Sequence, residues 1–322
     1  TNAILHGRSG ENLIPALIVF VITYALMLAF QAWRPWIALG AAGMFLLMGY
    51  LGLYPMNLAS ALGAVDFNVL LMIGATMGLV SLFIESRMPT RLAELLLKRV
   101  PNVMWAVTAL ALFAGVISAF VDNVATVLMV APVGLAIARR LELSPVAVLI
   151  AIAVSSNLQG AATLVGDTTS ILLGGFAGMN FFDFFWMEGR PGIFWSVELG
   201  ALTSLGVLFW LFRDQRQPVH VTVETEVEDD VPTALLLLTV GLLIAASFIP
   251  GRPAVTNGLI CMTLFLIGLI RSILQKKHFG PIKYALGEID FETLLLLMSL
   301  FVVIGTLTET GVIEDISALF VK

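Results

Sequence analysis

Charge is scarce in this sequence. Only 12% of its 322 residues are Asp, Glu, Lys or Arg, against 59% that are apolar. Soluble domains carry roughly 25% charged and 45–50% apolar residues, so a chain of this make-up has too little polar surface to cover itself in water. Cysteine is nearly absent. Cys261 stands alone in an apolar run, which excludes an internal disulfide and a thiolate-ligated metal. The three histidines, His6, His220 and His278, fall in polar connections, so no imidazole is expected at membrane depth for haem or zinc. No basic stripe interleaved with aromatics runs along the chain, and nucleic acid is not expected as a partner. The chain opens on Thr1 rather than Met, from which an incomplete amino-terminal end is expected; no cleavable leader is expected in its first residues.

Long apolar runs take the place of what is missing. A helix needs about 20 apolar residues to cross a hydrocarbon core of roughly 30 Å. Runs of that kind cover residues 13–30, 36–53, 67–84, 193–212, 234–249, 257–274 and 291–307. Two further apolar regions are interrupted. Residues 103–138 are broken at Asp122-Asn123; as one helix they would extend about 54 Å at 1.5 Å per residue, far more than a bilayer requires. A helical hairpin over 103–140, turning near Asp122 and returning to the side it entered from, fits better. The region 145–177 is broken by the polar stretch 155–170 and reads as one pass made of two half-helices. The expected fold class is an all-α integral membrane protein: a polytopic helical bundle with a re-entrant hairpin and a broken helix.

Basic residues favour the cytoplasmic side, which tests this topology. With the loop at 85–101 inside, the inner face receives Arg34, Arg87, Arg91, Lys98, Arg99, Arg139, Arg140, Arg213, Arg216, Arg271, Lys276, Lys277 and Lys283. The outer face receives Arg8, Arg190, Arg252 and Lys322. A single pass in place of the hairpin would push Arg139 and Arg140 outside. The segment 86–100 reads as an amphipathic helix lying in the interface. Residues 213–232 read as a polar, solvated cytoplasmic linker.

The linker separates two similar stretches. Ala61-Leu-Gly-Ala-Val-Asp66-Phe67 recurs as Ala285-Leu-Gly-Glu-Ile-Asp290-Phe291 at an offset of 224 residues, and the same offset sets Glu85 over Glu309. By the span order, Phe67 begins its helix outside and Phe291 begins its helix inside. The two copies are therefore expected to be inverted, a property of secondary transporters that set their site near the bilayer midplane. The expected organisation is a first repeat at 1–212 and the start of a second at 233–322. The counterpart of Asp122 would fall beyond Lys322, so the chain is expected to be a fragment lacking roughly its last 100 residues and unable to transport alone. Asp66, Glu85, Asp290 and Glu309 fall at helix ends and read as structural.

The two breaks carry the chemistry. One reads Ser118-Ala-Phe-Val-Asp122-Asn123-Val-Ala-Thr126; the other contains Ser156-Asn157, Gly160, Thr163 and Gly166-Asp167-Thr168-Thr169. Non-helical backbone at membrane depth survives only inside protein or against a watery cavity. Asp122 and Asp167 each begin a helix whose first N–H groups point outward. Each aspartate is either a cap alone or, as an intramembrane ionisable residue, part of a functional site. Unwound carbonyls with Ser, Thr and Asn oxygens suit Na+, whereas helix N-termini suit anions.

Asp122-Asn123-Val-Ala-Thr126, Ala131-Pro132, Ser156-Asn157 and Gly160-Ala-Ala-Thr163-Leu-Val-Gly166-Asp167 resemble the ArsB/NhaD-type permeases, within the superfamily that includes citrate and dicarboxylate carriers. The resemblance covers most of the chain. It implies two inverted repeats, a homodimer in the inner (cytoplasmic) membrane, and an ion site on Asp122, Asn123, Thr126, Asn157, Gly160, Thr163 and Asp167. Asn123 and Thr126 would supply neutral oxygens to Na+. The chain departs from the pattern at Thr168 and Thr169, where the family usually has prolines. Relative to the dicarboxylate branch, Asp122 stands for Ser and Val124 for Thr, and the added carboxylate favours a cation or proton-coupled cycle.

The leading functional expectation is Na+/H+ antiport, with Na+ or H+ as coupling ion, no cofactor, and a small inorganic ion or small anion as substrate. Arsenite or organic-anion (citrate or dicarboxylate) permeation is the alternative within transport. A membrane scaffold explains neither break. An intramembrane aspartyl protease would need Asp122 and Asp167 to share a proton, and the chain lacks the paired motifs such proteases resemble.

Overall fold

A computed structural model describes residues 2–54, 56–140, 144–219, 224–277 and 279–313, with side chains from Ile14 onward, that of Arg140 excepted. The expectations for His220, His278 and Lys322 lie outside the described residues. His6 departs from its expected polar connection: its backbone belongs to the first helix.

The fold is all-α. In chain order the helices are α1 (Asn2–Ala29), α2 (Arg34–Tyr50), α3 (Leu58–Ala64), α4 (Phe67–Glu85), α5 (Met88–Leu97), α6 (Val103–Ser118), α7 (Asn123–Arg140) and α8 (Pro145–Gly160). They continue with α9 (Thr168–Ala177), α10 (Ile193–Leu211), α11 (Val231–Ser247), α12 (Thr256–Lys276), α13 (Gly280–Glu288) and α14 (Phe291–Glu309). Between α9 and α10 a two-residue hairpin pairs β1 (Trp186–Met187) with β2 (Arg190–Pro191). By length and composition α4, α10, α12 and α14 can each cross a membrane, and α1 meets α2 at a bend of 119°. The chain is a multi-pass membrane protein.

Backbone proximity groups the residues into two compact units, 1–70 with 290–322, and 71–289. In the first, α1, α2, α3 and α14 pack around Phe45, Tyr54, Met56, Val303 and Leu307. In the second, α6, α7 and α8 enclose Leu110, Ala111, Val130, Val148 and Ile152, joined by Leu97 from α5 and Leu208 from α10. Small residues at 106, 111, 114, 138 and 151 let these backbones approach closely, as membrane helices require in the absence of a hydrophobic drive between them.

The repeated stretches share their local structure. α4 and α14 begin and end at positions exactly one offset apart in sequence, and each follows a short helix, α3 or α13, that sequence patterning does not anticipate. Each pair is joined through one extended residue, Val65 at φ −75° and ψ 121° and Ile289 at φ −76° and ψ 121°. Asp66 then accepts from the N–H of Val69 at 3.0 Å, and Asp290 from that of Thr293 at 2.9 Å. Both aspartates are helix caps.

The segment between α10 and α11 is docked rather than freely solvated. Gln217 and Gln215 carbonyls accept from the N–H groups of Val103 (3.1 Å) and Met104 (3.0 Å), which the first turn of α6 leaves without intrahelical partners. The Glu94 carboxylate accepts from Glu224 N–H (3.1 Å), Thr225 N–H (3.0 Å) and Thr225 O–H (2.7 Å). Asp229 pairs with Arg271. Unfilled N–H donors on α6 and a carboxylate acceptor on α5 give the polar segment partners more local than water. The helix α5 forms where an interfacial helix is expected, with Pro89, Ala93 and Leu97 spaced four apart on its buried face.

Candidate functional site

The apolar helix α6 ends at Ser118, and residues 119–122 turn the chain into α7. Asp122 closes that turn: its carboxylate accepts from Val124 N–H at 3.0 Å and Ala125 N–H at 3.1 Å, two of the donors that α7 cannot satisfy internally. Thr126, one turn on, is fully buried, and its hydroxyl reaches back to the Val121 carbonyl at 3.5 Å.

The second break is shorter than the polarity of the sequence implies. Ser155, Ser156, Asn157 and Gln159 belong to α8, and the chain leaves helical geometry only over 161–167. The helix continues because its polar side chains find partners on neighbouring elements rather than competing for its own backbone. Ser156 donates to the Asn123 carbonyl at 3.0 Å, and the Asn123 amide donates to Asn157 Oδ1 at 2.6 Å. Asp167 then caps α9, accepting from Thr169 N–H (2.5 Å), Ser170 N–H (3.1 Å) and the Thr169 hydroxyl (2.5 Å).

These bonds hold the two interruptions together. The buried Thr163 hydroxyl donates to the carbonyl of Ala119, in the first turn. Gly166 explains how close the backbones come: a β-carbon there would stand 2.4 Å from the Gly160 carbonyl oxygen, 2.8 Å from that of Ser118 and 2.9 Å from that of Ala119. Three main-chain oxygens thus converge on one point between the breaks. Beside them, Ser118 is wholly buried, and its hydroxyl has no hydrogen-bond partner among the described residues. It lies 3.6 Å from where a side chain on Gly160 would begin, as does the Asp167 carboxylate at 3.4 Å. An orphaned buried hydroxyl costs about 1–3 kcal/mol and calls for an explanation.

Asp122 and Asp167 line one small cleft, with Ile73, Thr76, Met77, Val165, Thr168 and Ile171. Both are half-buried, Asn157 is exposed, and Gly160 and Thr163 are buried. Asp122 and Asp167, Asn123 and Asn157, and Gly160 and Asp167 are therefore paired by the fold. Thr126 faces inward, with Val121 as its hydroxyl's acceptor. Among the described residues no group of three His, Cys, Asp or Glu converges as a metal cage.

Sequence reasoning passes over Glu198. It is the one ionisable residue in the apolar helix α10, and it accepts from the Gln159 amide at 3.3 Å, one residue before Gly160. A lone carboxylate in a 19-residue apolar span is the signal that marks it.

The sequence model of the citrate transporter family matches residues 16–322. An uncharacterized transporter of Mycobacterium tuberculosis is 30% identical over 311 residues, which cover 94% of this chain and 70% of that protein. The 46 kDa membrane protein of Mycobacterium leprae is 28% identical over 308 residues, with the same coverage. The P protein of Homo sapiens is 31% identical over 159 residues, 49% of this chain and 18% of that protein.

Proposed function

The chain belongs to the citrate transporter family, and from that premise we propose that this membrane transporter exchanges Na+ for protons at the two helix breaks. The observation that carries the reading is the shared cleft of Asp122 and Asp167, beside three converging carbonyls and an unpartnered buried hydroxyl. Two carboxylates make such a cleft attractive to a cation and repel a polyanion. The helix N-termini that would otherwise recruit an anion are already capped by these same aspartates.

In this reading Asp122, Asn123, Thr126, Asn157, Gly160, Thr163 and Asp167 form the ion site, with Asn123 and Thr126 supplying neutral oxygens. Asp122 carries a proton while the site is closed. When water and Na+ arrive, the ionised carboxylate is favoured and the proton leaves. A cation about 4 Å from a carboxylate gains about 4 kcal/mol at an effective dielectric of 20, equivalent to roughly a thousandfold in occupancy. Competition of this size for one carboxylate is sufficient to couple the two ions. The reading carries with it an ArsB/NhaD-type subtype, inverted repeats at 1–212 and 233–322 around the linker 213–232, and a homodimer in the inner (cytoplasmic) membrane. It involves no covalent chemistry and no cofactor.

The second reading, arsenite or citrate-like anion permeation, is favoured by the family's description. Vesicles holding the full-length protein and a pH-sensitive dye separate the two. Na+ gradients should drive proton movement, and arsenite and citrate gradients should not. Proton movement with citrate or arsenite alone would reverse the order.

A further inference from the structure

Glu198 lies within α10, about 7.5 Å along the axis from Ile193 and one turn inside Trp195, a residue type that gathers at membrane interfaces. The helix shows Leu199, Leu202 and Val207 outward, each more than half exposed, and buries Val197, Ala201 and Leu208. Val197 packs with Ala119 of the first break and Ala162 of the second. Glu198, half-buried, receives the Gln159 amide at 3.3 Å. An ionisable side chain within a membrane-crossing helix is rare and points to function, and the position of Glu198 against the interruption of α8 is unexplained by capping or by any ion pair among the described residues.

The identity of the partner matters. A Lys or Arg opposite Glu198 would lock it in the ionised form. An amide does not: its N–H accommodates the carboxylate, and after a half-turn about the terminal torsion its oxygen accepts from the protonated acid. Gln159 has room for its stem because Gly115 carries no side chain; a β-carbon there would lie 2.9 Å from Gln159 Cγ. The neighbouring ionisable groups are few. The helices packed against α10, α6 and α8, contain none. In the segment before it, Asp183 already accepts from Asn180 N–H, and Glu188 and Arg190 are exposed.

We propose that Glu198 is a proton-binding positioning residue that adjusts the break at Gly160 through Gln159. The ionised carboxylate takes a proton from water at the membrane interface, becomes a donor, and turns the Gln159 amide. That turn acts on the next residue, Gly160, whose carbonyl is one of the three converging on Gly166. Protonation of Glu198 thereby sets whether the carbonyl cluster is arranged to hold a cation. The inference rests on the cation/proton reading for its transport consequence, while the protonation of Glu198 is independent of what is carried.

Two measurements on the full-length protein separate these parts. Infrared difference spectra across pH should contain a protonated-carboxyl stretch that titrates, disappears in Glu198→Gln and returns, shifted, in Glu198→Asp. Absence of any band assignable to Glu198 overturns the inference, whatever the substrate. In vesicles, a step needing one proton lost or gained changes by up to about tenfold per pH unit. Glu198→Gln keeps a partner for Gln159, so exchange should persist while its pH profile flattens, and Glu198→Asp should restore the slope. A profile unchanged in Glu198→Gln makes Glu198 a structural hydrogen-bond partner and overturns the positioning role. A titrating band in a protein that moves no Na+ sinks the antiport reading and leaves Glu198 as a proton site.

Discussion

The Asn123 amide donates to Asn157 Oδ1 across 2.6 Å, tying the first residue of α7 to the last turn of α8. The bond joins two interruptions that are 34 residues apart in sequence. Replacing either asparagine with Ala should lower the midpoint of thermal unfolding, and the two changes should not add. A double-mutant cycle is expected to give a coupling of about 0.5–1.5 kcal/mol, the net value of a typical hydrogen bond. Additive effects would mean that the breaks are positioned independently.

Gly166→Ala should be far more damaging than its one methyl suggests. The added β-carbon meets three carbonyl oxygens at less than 3 Å, and overpacking of that kind costs typically about 1–3 kcal/mol. Gly43→Ala, in α2 with nothing within 4 Å of the new atom, is the control. It should be neutral or stabilising by up to about 1 kcal/mol. Unfolding in detergent, followed by intrinsic fluorescence, reads both.

Ser118→Ala distinguishes an ion ligand from a packing residue. Removing a buried hydroxyl that has no protein partner should leave stability unchanged or raise it by up to about 1 kcal/mol. Under the cation reading the same substitution should weaken Na+ dependence of exchange by roughly tenfold, since about 1.4 kcal/mol of ligation is lost. Lower stability with unchanged Na+ dependence would assign Ser118 to packing.

Topology is tested by labelling. In the hairpin reading α7 returns to the side from which α6 came, so Arg87 and Arg139, both exposed, should share one aqueous face. In a Cys261→Ala background, Arg87→Cys and Arg139→Cys should react with an impermeant maleimide from the same side. Labelling from opposite sides would make α6 and α7 together a single pass.

Both breaks were legible because Asp122 and Asp167 interrupt otherwise apolar runs, and each proves to be a helix cap. The extent of the second break was not. Ser156 and Asn157 look like loop residues in one dimension, yet α7 supplies partners that let their helix continue. The docking of the linker was hidden for the same reason: a polar segment reads as solvated until the unfilled N–H groups of Val103 and Met104 are seen beside it. Glu198 went unnoticed because hydropathy averages away a single charge, and its partner Gln159 is 39 residues earlier. Long-range partners, rather than local preference, decided each of these.

The cation/proton account meets its most direct test in a single vesicle experiment. Full-length wild-type protein and Asp122→Asn are reconstituted with a pH dye in the lumen, and Na+ is added outside. Wild type should make the lumen alkaline as Na+ enters and protons leave. Asp122→Asn retains an acceptor for the Val124 and Ala125 N–H groups, so it should fold, and its lumen should stay unchanged. If Asp122→Asn exchanged Na+ for protons at the wild-type rate with the wild-type pH dependence, Asp122 would be a helix cap alone and the account would be contradicted.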